Sequence, residues 1–501
     1  MGRRGLLAAL VVASGCSFDV AFSCDEDEQC ALRSGGACEG DGWCSYPADD
    51  CEGGRVYGPY APPSVAGVCV GAPGETDVGS SSSGGQTSTT TTTSTSGDGS
   101  GESSGGSQPA CGNGVVEEGE SCDDGNADPD DGCHPLCVDP YATVWTREYN
   151  AADREDRGFA IDVDTERDAI YVAGLTETAE ASNADLLVQR YGLSDGVRTW
   201  TFSRDAAGGE DTAEQLEVDA QGDVVVGGVE TDAMGVEHAW VAKFDPDGDL
   251  VWEVSDPTGS KAEGVAIADD GRIVAVGRVG AEGDSVAWQQ WYAPDGTPDG
   301  TAILSSVEAD FDTRGIDVIN VPGVGIQLTG VFYDATPNLW TARFDGAGTL
   351  LWEQLVPDAS GDVPRGVGQA LSPLGGTAMV GTRNTNRFVQ FYDDLGAAVG
   401  EPWEEGEPGQ DEVADIAFLD DGRYVLVGFI GFNLSNTGTA DGWIRFNAPD
   451  GTLIDERPIS GSGGGVDKLL AIENAPYSVV VTGYVKNETT DIDLWLRRYA
   501  I

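Results

Sequence analysis

The chain has 501 residues, 40% of them hydrophobic, which supplies core for several domains. Its 86 Asp and Glu against 27 Lys and Arg give a formal net charge of -59. Such a surface repels nucleic acid and anionic lipid headgroups, and favours divalent cations, cationic partners or simply solubility. With only His134 and His238, far apart in sequence, a His-built zinc or iron centre has too few ligands.

The chain opens with Arg3 and Arg4, a short apolar run from Leu6 to Val12, and the small residues Ser14 and Gly15. Residues 1–15 therefore read as an export signal, too short to span a bilayer as a helix. The end, Ala13-Ser14-Gly15-Cys16, resembles the bacterial lipobox, which implies a lipid on Cys16 and a membrane anchor. Ser17 follows where the lipoprotein families it resembles use Asp for inner-membrane retention, so the resemblance implies the outer membrane and exposure at the surface.

The cysteine count supports this. Of 11 Cys, setting Cys16 aside leaves ten in two even groups. Cys24, Cys30, Cys38, Cys44, Cys51 and Cys69 fall within a first module over 16–70; Cys111, Cys122, Cys133 and Cys137 form a second over 111–137. Two disulfide-stapled modules fit an oxidising compartment, with the pairings open. Between them, residues 71–110 are a Ser/Thr/Gly-rich stalk with almost nothing to bury. As a coil of about 40 residues it spans roughly 35 Å root-mean-square.

The second module contains Cys111-Gly112-Asn113-Gly114, Gly119-Glu120, Cys122-Asp123-Asp124-Gly125-Asn126, Asp131-Gly132-Cys133 and Cys137. It resembles the short cysteine-rich repeat of exported proteins in myxobacteria and related delta-proteobacteria. With the lipobox and stalk, it is similar to the large surface lipoproteins of those bacteria. Asp123, Asp124, Asn126, Asp128, Asp130 and Asp131 gather six oxygen-bearing side chains, a candidate structural calcium site that lacks EF-hand spacing.

Residues 141–501 repeat a unit of about 50 residues, marked by apolar strands ending at Gly174, Gly228, Gly277, Gly330, Gly381, Gly428 and Gly483. Each unit reads as short strands rich in Val, Ile and aromatics joined by Asp-Gly turns. That syntax predicts four-stranded blades, and it is similar to bacterial β-propeller repeats. The seventh unit stops after its third strand, while an orphan fourth-type strand, residues 143–149, precedes the first. The fold expected is all-β: a seven-bladed β-propeller closed by residues 143–149. Trp145, Trp200, Trp252 and Trp352 share one position in the fourth strands and read as packing between blades. The repeat glycines read as sites of close strand approach.

No catalytic residue is assigned. No nucleophile elbow, phosphate loop or haem motif occurs. His238 is the single candidate base for a triad in the repeats. Glu214, Glu263, Asp317, Asp415 and Asp467 precede or lie in the first strands, which line a propeller's channel, and are expected to form an acidic mouth. The function expected is a non-catalytic, monomeric surface lipoprotein that binds a protein or glycan through its propeller. The alternative is an extracellular carboxylate-dependent hydrolase or lyase acting on polysaccharide. A cleft on the channel axis with two carboxylates about 5–9 Å apart, one of raised pKa, would favour the alternative.

Overall fold

The computed structural model describes residues 37–38, 44–47, 55–57, 111, 114–116, 120–123, 125 and 133–501, less ten short stretches in the last range (152–153, 178–183, 207–208, 281–284, 305–312, 335, 358–366, 407–409, 433–438 and 489–490). Cys16, Cys24, Cys30, Cys51, Cys69, the stalk, and Asp124, Asn126, Asp128, Asp130 and Asp131 of the acidic loop lie outside the described residues. The chain divides into two compact units, Met1–Ser103 and Ser104–Ile501.

In the first unit, Ala37–Cys38, Cys44–Pro47 and Arg55–Tyr57 form a three-stranded antiparallel sheet. The Cα atoms of Cys38 and Cys44 are paired in its register. Arg55 closes it by donating from Nε to Ser45 Oγ at 2.8 Å.

The second unit is a ring of seven four-stranded antiparallel sheets. Blade 1 comprises Asp156–Asp164, Ala169–Glu177, Ala184–Gly192 and Arg198–Arg204. Blades 2 to 6 follow at 212–256, 261–304, 313–357, 368–405 and 410–459. Blade 7 takes Lys468–Ala475, Ser478–Asn487 and Asp491–Ala500, and its fourth strand is Thr143–Tyr149, with Trp145 opposite Arg498. The ring thus closes by pairing the two ends of the repeat region, which leaves no blade one strand short.

Strand character follows radial position. Second strands are buried on both faces between neighbouring blades, so Ala169–Glu177 reads as a continuous apolar run. Fourth strands lie at the rim and alternate, as in Arg198–Arg204. The buried apolar residues form seven clusters, each spanning one junction between adjacent blades; one joins Ile161, Ile170 and Val172 of blade 1 to Val480, Leu494 and Leu496 of blade 7. The ring is therefore held by seven separate cores.

The repeat glycines sit where the first strand bulges against the second. A Cβ on Gly174 would overlap the carbonyl oxygen of Arg157, and the register shifts at Gly158/Ala160 opposite. Gly228, Gly277, Gly330, Gly428 and Gly483 meet the carbonyls of Thr212, Lys261, Arg314, Glu412 and Lys468 in the same way.

The cysteine-rich segment is stapled by Cys111–Cys137 and Cys122–Cys133. His134 is half-buried. Its Nε2 lies 3.1 Å from the carbonyl of Ile501 and its ring meets Tyr477 edge-on at 6.4 Å. The segment is thereby tied to blade 7, and burial lowers the pKa of His134.

Candidate functional site at the propeller axis

First strands of all seven blades line a cavity of about 510 Å³ on the ring axis. Its polar wall holds Asp162, Glu217, Asp317, Asp415 and Glu473, with Gln215, Gln369, Asn320 and Asn474. No Lys, Arg or His is among the described residues lining it.

Three of these acids are equivalent. Asp162, Glu217 and Glu473 pair with Tyr171, Val225 and Val480, each three residues before its blade's repeat glycine. They come from blades 7, 1 and 2, which are neighbours in the closed ring, so they make an arc of three carboxyls. Asp317 and Asp415 stand two residues deeper, opposite Thr329 and Val427. At that depth Gln215 Nε2 donates across the channel to Asp317 Oδ1 at 3.4 Å. Beneath this layer a second cavity of about 340 Å³ opens toward the other mouth.

Several carboxylates also join blade to blade. Asp162 Oδ2 accepts from Val218 N of blade 2 at 2.7 Å, Glu217 Oε2 from Ile267 N of blade 3 at 2.8 Å, and Asp415 Oδ2 from Ile472 N of blade 7 at 2.9 Å. These bonds hold the acids in place while leaving them partly exposed to the cavity.

Burial and mutual repulsion oppose their ionisation. Burial pushes Asp162 up to about 6 against the donated N–H bonds of Val218 and Val163. Glu217 is pushed to about 8, by burial first and then by Asp162. Asp317 rises to about 6 and Asp415 to about 8, both chiefly by burial. Glu473 lies well above the usual range, from burial and then the charge of Asp162. At neutral pH the arc therefore carries protons on some carboxyls and charge on others.

The expected acidic mouth is present but differently built. Asp317 and Asp415 line the axial cavity. Glu214 and Glu263 face the opposite mouth, because they sit at the far end of their strands, beside cations: Glu214 pairs with Lys261 at 2.8 Å and Glu263 with Arg278 at 3.6 Å. Burial works against Glu214, yet Lys261 outweighs it and holds the carboxyl below its ordinary value. Asp467 is outside the channel; its Oδ1 accepts from Lys486 N at 2.6 Å, a structural bond matched by Asp411 to Gly431 N and Asp211 to Thr231 N.

Sequence reasoning passed over Asp162, Glu217 and Glu473. Each follows a buried Ile or Leu (Ile161, Leu216, Ile472), a usable signal. Their distances to the repeat glycine differ, at 12, 11 and 10 residues, because the intervening turns differ, so only strand pairing aligns them.

Of the six proposed calcium ligands, Asp123 is described. Its Oδ1 accepts from Gly114 N at 2.8 Å and Gly125 N at 2.9 Å. Ligand atoms of Glu120, Asp123 and Cys137 lie within 4.8 Å of one another, a group able to coordinate a metal ion without selecting calcium. Cys137 is disulfide-bonded and offers no thiolate there. His238 lies 3.4 Å from Asp232 across a hairpin of blade 2, away from the cavity.

Residues 102–138 match a family described as a domain of unknown function (DUF4215), which covers the cysteine-rich segment. No curated protein matches the chain. Among solved structures, a PL25 ulvan lyase is 12% identical over 71% of this chain and 96% of its own, with a TM-score of 0.45. The polysaccharide lyase Uly1 is 10% identical over 68% and 90%, TM-score 0.43. The Pan2 WD40 domain of Neurospora crassa is 10% identical over 68% and 88%, TM-score 0.42. The propeller assignment rests on this chain's own sheets.

Proposed function

We propose that this is an exported, lipid-anchored protein that hydrolyses a neutral or amino-bearing polysaccharide with the carboxyls of its axial cavity. One observation carries the reading: neighbouring blades hold two equivalent carboxyls whose environments separate their roles. At neutral pH Glu217, near 8, keeps its proton, while Asp162, near 6, is largely ionised. A proton donor beside a carboxylate base is the pair that glycosidic cleavage needs. The amides of Gln215 and Gln369 supply hydrogen bonds for sugar hydroxyls. A lyase acting on uronates fits less well, since none of the described residues lining the cavity is basic enough to receive the uronate carboxylate.

The test is release of reducing ends from neutral and amino-sugar polysaccharides by the full, oxidised chain. Activity should follow a bell between about pH 6 and 8, the values of Asp162 and Glu217. Glu217→Gln and Asp162→Asn should each lower the rate by about 100-fold or more. Retention of a polysaccharide with no new reducing ends would overturn hydrolysis and leave glycan binding, the reading that the blade-to-blade bonds of the acids favour.

The same reading places the lipid on Cys16, with the stalk holding a monomeric propeller off the outer membrane, and calcium at the Asp123 loop. Mass spectrometry of the mature N-terminus checks the first, and calcium titration of the oxidised cysteine-rich segment in the full chain checks the last.

A further inference from the structure

Neighbouring blades meet in two ways at the rim. In blades 7, 1, 2 and 4, the fourth-strand residue four beyond the turn is Trp145, Trp200, Trp252 or Trp352, and its ring covers the turn glycine of the next blade: Gly196, Gly248, Gly296 or Gly396. A cation stands opposite each Trp in the sheet, as Arg498, Arg190, Lys243 and Arg343.

Blades 3, 5 and 6 lack the Trp; Gly300, Gly400 and Asp455 take its place. Blades 3 and 6 compensate with an arginine from the turn before their second strand. Arg272 lies over the Trp291 ring at 4.6 Å and donates to the Gly346 carbonyl of blade 4. Arg423 reaches the Tyr141 hydroxyl of the closing segment at 3.3 Å. In blade 5 the matching position, five residues before the repeat glycine, is Gly376. Its glutamine Gln390 and bulged fourth strand repeat those of blade 3, with Phe391 where Trp291 stands. The result is a cavity of about 720 Å³ between blades 5 and 6, walled by Phe391, Phe418 and Tyr424.

We propose that this cavity binds an organic cation, and specifically a methylated ammonium group seated over Phe391. The fold itself shows what the seat takes, since Arg272 fills its counterpart with a cation over an aromatic ring. Two acids that hold Arg272, Asp270 and Asp299, are replaced in blade 5 by Leu374 and Val399. The seat is therefore lined by apolar side chains, which suits a cation dressed in methyl groups better than a guanidinium. Glu401, Asp393, Asp394 and Asp450 lie around it, and no Lys, Arg or His is among the described lining residues. Among the described lining residues this cavity shares only Phe418 with the axial one, and its ligand is independent of the hydrolysis proposed there.

Choline and its neutral isostere 3,3-dimethylbutan-1-ol, titrated into the full oxidised chain by calorimetry, test the assignment. Choline should bind saturably in the millimolar range, at least tenfold tighter than the isostere. Val399→Trp, which fills the seat from the residue opposite Phe391, should weaken choline tenfold or more, and Glu401→Gln should weaken it several-fold. Glu217→Gln should leave it unchanged. Absence of saturable choline binding, equal binding of the isostere, or loss of binding in Glu217→Gln would overturn the proposal. Tighter binding of N-acetylargininamide than of choline would overturn the methylated class. If Val399→Trp fails to fold, Glu401→Gln and Phe391→Leu decide, both of which should weaken choline.

Discussion

Trp352 of blade 4 lies flat against Gly396 in the turn of blade 5. Gly396 holds φ at +81°, and a Cβ there would overlap the indole. The contact explains why turn glycines and rim Trp residues recur together: each glycine answers two demands, a left-handed backbone and a ring laid on it. In three of the four junctions the indole also donates to the same turn, Trp145 to Leu193 O, Trp200 to Pro246 O and Trp252 to Pro294 O. At the fourth, Arg343 Nη1 approaches the matching Asp394 carbonyl at 3.4 Å.

Trp352→Ala should therefore cost about 2 kcal/mol of stability, below the range for a fully buried Trp because the ring is part-exposed. Gly396→Ala should cost about 1–2 kcal/mol from the backbone alone, with the ring displaced besides. In the double mutant the steric part of the glycine effect should vanish, so the two losses are less than additive. Denaturant melts of the four proteins measure this.

Ring closure makes the third strand of blade 7 depend on residues 143–149. A chain starting at residue 150 exposes the edge of Asp491–Ala500 and removes Trp145 from the core shared by blades 7 and 1. It should lose its cooperative melt or self-associate, as light scattering would show. The same truncation at residue 139 should melt as the full chain does.

The axial acids set a pH dependence. Their folded pKa values, about 6 to 8, lie above the ordinary carboxyl range, so the folded state holds protons that the unfolded state releases. Their contribution to stability is complete below about pH 4 and is lost as pH rises through 6 to 8. The propeller should melt at a higher temperature at pH 5 than at pH 8.5. Glu217→Gln, which cannot ionise, should reduce that difference.

All described disulfides lie before residue 138, and none staples a blade. Reduction should raise amide exchange across 111–137 while the blades keep their protection. His134→Ala should loosen the same segment, because it removes the contact with the Ile501 carbonyl. Hydrogen-exchange mass spectrometry separates the two regions.

The blades were legible because each is a local object. Four strands joined by tight turns need only sequence neighbours, so apolar runs, Asp-Gly turns and Gly174 with its equivalents marked them. The rim Trp residues were legible for the same reason. Asp162, Glu217 and Glu473 were not, since turns of unequal length hide their common register. Glu214 and Glu263 misled because being in a first strand does not say which mouth of the channel a side chain faces; position along the strand does.

By itself the sequence determined the cysteine grouping, the count of seven blades and the need for residues 143–149 to close them. Those follow from local propensity and from one strand missing at one end and spare at the other. Only the tertiary structure decided what the ring encloses. Bringing seven first strands to one axis places acids from distant segments side by side, and their shared burial and repulsion raise pKa values that no segment has alone. It also decided where the pattern is incomplete: Gly376 and Gly400 are 24 residues apart in the chain, yet together they leave one cavity between two blades.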